Sequence, residues 1–324
     1  MEIANRIVRA GTSECMATAT GGITDRHLRL YATLARNRVG LIFTGHMYCE
    51  PRGQYERGQP GIDSDAAVAG LARLTRAVHD HGGKIFAQIA HAGSQSLIAG
   101  NRPLAPSPVA NAMTGRDVGE ASAGEIEATI DAFGQAARRA VEAGFDGVHI
   151  HGANGYLVSE FSSPVTNRRA DAWGAGAEGR DRFALEVVRR VRAAVPRTRG
   201  LSMKLGFVDA VPGGLNLDES VPRAARLVAA GLDAIEVSSN VMRGYADSAM
   251  PTSRSTARGR CATCSSTRRC AGVRVPRPIS ARGHARSDRG WRRPSSSSAA
   301  SAGRRRWRRC SPAEMRTSSR WRAR

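Results

Sequence analysis

The stretch SAGEIEATIDAFGQAARRAVEAGFDGVHIHG, residues 122–152, decides the fold. Ser122-x-x-Glu125 is a capping box, in which a hydroxyl and a carboxylate each accept a free N–H of a helix's first turn. Ile126, Ile130, Phe133, Ala137 and Val141 then fall on one helical face, and Gly144 closes the helix. Gly147–Gly152 follows at once, too short for a helix and bounded by glycines, so it reads as a buried strand. The same pairing recurs outward in both directions. Apolar runs lie at Ile7–Gly11, Gly40–His46, Lys84–Ala90, Gly200–Gly206 and Ala234–Asn240. Amphipathic helical stretches lie at Asp65–His81, before Gly82-Gly83, and in the segment ending at Ala230-Gly231. Strands alternating with helices make parallel βα units rather than a meander. About six such units fit an α/β fold of the (β/α)8 TIM-barrel type, here incomplete, better than a doubly wound sheet. No G-x-G-x-x-G follows a strand, which argues against a dinucleotide-binding Rossmann domain.

Charge divides the chain in two. Of 324 residues carrying a net charge of +21, residues 252–324 hold 21 Arg, no Lys and two acids, Asp288 and Glu314. Residues 1–251 keep 28 basic and 26 acidic residues and are nearly neutral. The expected domains are therefore a partial barrel over 1–251 and a disordered basic Arg/Ser-rich tail over 252–324. No apolar run reaches the ~18 residues of a membrane span, and no signal-peptide pattern opens the chain. Cys15 and Cys49, the two cysteines of the first part, suit a reducing cytoplasm.

In a barrel of this type, polar groups at the C-terminal ends of strands are the first candidates for chemistry. In Gly147-Val-His-Ile-His-Gly152, period-two alternation puts His149 and His151 on one face, with His151 nearer the carboxyl end; Asn154 and Tyr156 follow. Two side-chain donors there could hold a developing oxyanion, and a phenol could deliver a proton. The alternative is a helix-capping Asn and a half-buried structural His. In Leu201-Ser-Met-Lys-Leu-Gly206, the apolar residues suit the helix-facing side and turn Ser202 and Lys204 inward. An inward lysine needs an anion or strong acceptors, or else a structural ion pair with an acidic neighbour. Gln88 projects inward from Lys84–Ala90, and its amide could read the edge of a flat heterocycle.

Together these motifs resemble the Old Yellow Enzyme family, the FMN-dependent NAD(P)H:flavin oxidoreductases and ene-reductases. The likeness starts at Asn5-Arg-Ile-Val8. It runs through Gln-Ile-Ala-His-Ala-Gly (88–93), Phe-Asp-Gly-Val-His-Ile-His-Gly-Ala-Asn-Gly-Tyr-Leu (145–157), Glu-Phe-Ser-Ser-Pro (160–164), Asn167-Arg-Arg-Ala-Asp171 and Arg180-Asp-Arg-Phe183, to about Met250. It departs at Trp173-Gly-Ala-Gly and Glu178-Gly-Arg180, and the usual N-terminal hairpin is reduced to Met1-Glu-Ile-Ala4. The resemblance implies FMN as cofactor, NADH or NADPH as reductant, and an α,β-unsaturated carbonyl or similar electrophilic alkene as substrate. It implies that Ala10, Gly11, Thr12 and His46 line the flavin, that Gln88 bonds its pyrimidine edge, and that Lys204 sits against N1/O2. His151 and Asn154 would bind the substrate carbonyl, and Tyr156 would protonate its α-carbon in a ping-pong cycle. From the sequence itself no metal, no membrane and no specific nucleic acid are expected, and a homo-oligomer is possible.

The family carries strands seven and eight, with the FMN phosphate loops, where this chain turns to Arg, Ser, Pro and Trp. The genetic code gives a reason. A TCN serine codon read one base out of register yields NTC, and every NTC codon encodes Phe, Leu, Ile or Val. Pro294–Gly303 thus permits V-V-L-V-G-G-I-R-G, a strand and glycine turn. Arg305–Arg324 permits A-L-A-E-V-L-A-G-G-D-A-D-F-V-A-L-A-R-P, and Thr252 onward permits V-A-V-D-R-A-R-A-L-R-D-L-L-L. The tail is read as the product of a one-base loss near Pro251–Thr252. Rival readings are a zinc site from Cys261, Cys264, Cys270 and His284, and phosphate binding by Arg304-Arg-Arg-Trp-Arg-Arg309. In the non-catalytic alternative, the chain is a frameshifted product whose basic tail binds polyanions nonspecifically.

Overall fold

In a computed structural model of the chain, residues 1–111 and 114–241 are described. They belong to the first of two units, Met1–Arg258; the second, Gly259–Arg324, lies outside them. The expected boundary at 251/252, the tail's expected disorder, and the shifted-frame, zinc and polyanion readings also lie outside the described residues.

In chain order the elements are β1 (Val8–Arg9), α1 (Asp25–Arg36), β2 (Leu41–Phe43), β3 (Met47–Tyr48), α2 (Ala67–His79) and β4 (Ile85–Ala90). They continue with β5 (Leu104–Ala105), β6 (Gly119–Glu120), α3 (Ala123–Glu142), β7 (Gly147–Gly152), α4 (Leu157–Ser162), α5 (Gly176–Ala194), β8 (Gly200–Gly206), α6 (Leu217–Ala230) and β9 (Ala234–Ser238). The main sheet runs β1-β2-β4-β7-β8-β9, every pair parallel, with β3 also pairing β4. This is the incomplete (β/α)8 barrel expected from the sequence. Among the described residues no strand joins β9 back to β1, so the ring is open there. β5 and β6 form a separate two-stranded pair.

The capping box forms at the start of α3: the Glu125 N–H donates to Ser122 Oγ (3.3 Å), and the Ser122 N–H donates to Glu125 Oε2 (2.9 Å). Ile126, Ile130, Phe133 and Ala137 are the buried face. β7 and β8 have the bounds read from the sequence. Of the run Gly40–His46 only Leu41–Phe43 is strand: at Thr44 the side-chain Oγ, rather than a backbone carbonyl, accepts the Gln88 N–H (2.9 Å), and pairing with β4 resumes past the run, at β3. At the edges the strands are shorter than their apolar runs: Ile7–Gly11 pairs only over Val8–Arg9, and the last run stops at Ser238.

Register stacks the barrel interior in rows, since paired residues of a parallel sheet face the same side. The floor row is Phe43, Phe86, Gly147 and Gly200. A Cβ on Gly147 or on Gly200 would overlap the Phe86 ring, so glycine at both positions is what admits that ring. Leu41 and Ile3 complete this apolar floor. The middle row is Gln88, His149, Ser202 and Ala234; the upper row is His151, Lys204 and Glu236. On the other face Val148, Ile150, Leu201, Met203 and Leu205 are buried in one core with Phe133, Phe183 and Val187 from the covering helices.

Candidate active site

The middle and upper rows place polar side chains where the barrel interior opens. Gln88 is buried, and its Nε2 has no hydrogen-bond partner. The backbone at Gly11 passes directly over this amide, and a Cβ there would overlap it. His149 stacks on Phe43 with ring centroids 3.9 Å apart and planes 8° from parallel. Its Nδ1 meets Ser202 Oγ at 2.8 Å and its Nε2 meets Glu236 Oε2 at 3.0 Å. Lys204 does turn inward, and its Nζ lies 3.2 Å from Glu236 Oε1. One carboxylate therefore bridges His149 and Lys204, and these partners hold its pKa below the usual range against the effect of burial. Of the two sequence readings for Lys204, the ion pair is present; the same ammonium also stands beside His151 in register.

Around His151 of the upper row, His46, Tyr55 and Tyr156 complete a cluster of edge-to-face and tilted rings. Ring centroids of His151 and Tyr156 are 4.5 Å apart, those of His46 and Tyr156 are 5.4 Å apart, and those of Tyr55 and Tyr156 are 5.8 Å apart. Burial drives the His151 pKa well below its ordinary value, with His46 and Lys204 adding like charge, so the imidazole is neutral at pH 7. Its Nδ1 accepts the Ala153 N–H (3.4 Å), leaving Nε2 to carry the proton as a donor. Burial likewise raises the Tyr156 phenol, keeping it protonated.

The loop from β7 to α4 is built by strain. Asn154 adopts φ 58° and Gly155 φ 76°, left-handed values that only the second takes freely. The Asn154 N–H donates to the Ser239 carbonyl (3.1 Å), and Gln95 Nε2 donates to the Asn154 carbonyl (2.7 Å). The Asn154 amide reaches Ser238 Oγ at 3.4 Å. Tyr156, not Asn154, is the N-cap of α4, so the helix-capping alternative for Asn154 does not hold. Nor is His151 half-buried, being 5% exposed. Ala10 lines a cleft of about 380 Å³ between β1 and β9, shared with Phe43, Ser202 and Glu236. Thr12 is exposed and bonds only its own loop, donating to the Ala10 carbonyl (3.3 Å).

Sequence reasoning did not single out Glu236, Gln59 or Tyr55. Glu236 had a signal: it is the one acid in the run Ala234–Asn240, at the phase that faces inward beside Lys204. Gln59 and Tyr55 sit in the loop after β3, where no period marks a face.

The polar interior lies toward the C-terminal ends of the parallel strands, where α/β barrels carry their chemistry. The chain belongs to the NADH:flavin oxidoreductase / NADH oxidase family, whose model matches residues 1–269. It is 40% identical over 243 residues to an NADPH dehydrogenase of Geobacillus sp. (strain WCH70), covering 74% of this chain and 70% of that protein. It is 39% identical over 243 residues to the NADH oxidase of Thermoanaerobacter brockii, again over 74% of this chain but only 37% of that protein's length. Among solved structures, the old yellow enzyme homologue from Zymomonas mobilis superposes with a TM-score of 0.65 at 33% identity, covering 71% of this chain and 68% of that one. The family binds FMN and uses NAD(P)H, as the sequence implied. The residues present fit a flavin: a buried amide donor without a partner at Gln88, the Gly11 backbone in close approach to that amide, and a cation at Lys204. Among the described residues no three His, Cys, Asp or Glu group as metal ligands, and no helix is long and apolar enough to cross a membrane.

Proposed function

We propose that residues 1–241 carry most of the site of an FMN-dependent oxidoreductase that passes hydride from NAD(P)H to an activated alkene, such as an α,β-unsaturated carbonyl compound. The observation that carries this reading is the unpartnered Gln88 amide beneath the neutral His151 and protonated Tyr156. When bound, FMN supplies the hydride-carrying ring. Gln88 and Lys204 hold its pyrimidine edge, with Ala10, Gly11, Thr12 and His46 along its border. His151 donates Nε2–H to the substrate carbonyl, aided by Asn154, and draws electron density from the β-carbon. Tyr156 gives its proton to the α-carbon. Free Cys15 and Cys49 suit a reducing cytoplasm.

The phosphate loops expected in strands seven and eight fall in 252–324, so FMN binding by the chain as it stands is weak. The test of the chemistry is rapid mixing at saturating FMN, with NADPH and then 2-cyclohexenone. Tyr156→Phe slows reoxidation by the enone ~10²-fold and leaves reduction by NADPH unchanged. Reoxidation at the parent rate removes Tyr156 from the proposal. A chain that takes up RNA but no FMN at any concentration favours the non-catalytic reading instead.

A further inference from the structure

The His46 side chain has a position that flavin lining does not explain. It is buried, and its Nε2 faces Tyr156 Oη at 3.5 Å. Its other nitrogen, Nδ1, lies 2.7 Å from Gln59 Nε2. The direction of that bond is decided by the rest of the Gln59 amide. Gln59 Oε1 accepts the Tyr55 N–H at 2.6 Å, and Gln59 Nε2 donates to the His46 carbonyl at 3.2 Å. Both contacts put the NH2 group toward His46, so Gln59 donates to Nδ1 and Nδ1 must offer its lone pair. A neutral imidazole with a bare Nδ1 carries its proton on Nε2. That proton points at Tyr156. Burial lowers the His46 pKa to about 4, with Lys204 opposing and Glu56 favouring the charged form, so the neutral state holds at pH 7.

We propose that His46 is the positioning residue for Tyr156: its Nε2–H, set by Gln59, donates to the phenol oxygen and leaves the phenol's own proton free for substrate. The inference rests on the proton-donor reading of Tyr156 given above. A phenol oxygen that already accepts one hydrogen bond has its O–H directed elsewhere. The same donor also stabilises the oxygen's negative charge once the proton has left. The contact is long for a hydrogen bond, as active-site bonds often are before substrate binds. The alternative geometry, in which the phenol donates to His46, requires a bare Nε2 and hence an unbonded Gln59 donor.

The tautomer is read directly by ¹⁵N–¹H correlation of the histidine rings in the full chain without flavin, with His46 assigned by its loss in His46→Phe. The expected spectrum at pH 7 shows a protonated Nε2 and an unprotonated Nδ1 for His46, and Gln59→Leu turns this into a mixture of tautomers. A protonated Nδ1 in the parent chain overturns the proposal. At saturating FMN, His46→Phe slows reoxidation by 2-cyclohexenone about tenfold more than it slows reduction by NADPH, and is rescued by His46→Gln, whose amide N–H can replace Nε2–H. Failure of His46→Gln to recover more than His46→Phe overturns the proposal as well. If the tautomer is as expected but Tyr156→Phe reoxidises at the parent rate, the positioning geometry stands and the proton-donor reading falls.

Discussion

The centre of the sheet and its two edges are built by different means. In β4, β7 and β8 both faces are buried, so each strand is constrained by the interior row on one side and the helix layer on the other. Among the described residues the outermost strands have only one paired edge: Val8 on β1 is 45% exposed and Val237 on β9 is 72% exposed. Central strands fold to the lengths their sequences announce; edge strands pair only as far as a neighbour extends. The same contrast holds for the chemistry. Gln88, His151 and Lys204 stand on central strands, in fixed rows. Glu236 and the Ser238–Ser239 contacts of Asn154 stand on the open edge. The central half of the proposed flavin site is therefore built by the described residues alone, whereas its β9 flank depends on one strand pair.

The largest expected effect lies at the centre. Gly147→Val drives two methyl groups and a Cβ into the Phe86 ring on the barrel floor, and lowers stability by about 3 kcal/mol, read as the denaturation midpoint. A loss below 0.5 kcal/mol would break the picture of a close-packed floor. Next comes acid. His46 has its folded pKa lowered to about 4 by burial, below the unfolded value near 6.5, so the unfolded chain binds the proton more readily. Its contribution is complete above pH 6.5 and is lost as pH falls toward 4, about 3 kcal/mol from this residue alone. Burial lowers His149 and His151 as well, in the same direction. Thermal melts should therefore drop steeply between pH 6.5 and 4, and a flat profile contradicts neutral buried imidazoles. The smallest effect belongs at the edge: Val237→Thr changes stability by less than ~0.5 kcal/mol. A large loss there would mean that the β9 face is covered.

Much of the centre was legible in the sequence, because its signals are local and redundant. The Ser122–Glu125 box, the apolar stripe and Gly144 all mark α3, and glycines bracket β7 and β8. α1 was less visible. Its buried stripe is His27, Tyr31 and Ala35, three residues that share a spacing but not an apolar character. α5 has a clear face in Phe183, Ala184, Val187, Val188 and Val191, hidden among arginines that read first as a family motif. At the site, alternation was enough to place His149, His151, Ser202 and Lys204 inside the barrel. It could not show that Glu236 would bridge two of them across strands, nor that a loop glutamine would set a histidine's tautomer. Those depend on register between strands and on a loop without a period.

We propose that these interior rows form a flavin site whose remaining walls are encoded in 252–324 one base out of frame. The measurement that tests it most directly is FMN titration of two chains side by side: this one, and one with a base restored between the codons for Pro251 and Thr252. We expect a yellow, one-to-one complex for the restored chain and at least tenfold weaker binding for the chain as it stands, because the frame reading moves the phosphate donors out of the translated sequence. Equal affinities would contradict the frame reading. A restored chain that stays colourless would contradict the flavin site itself.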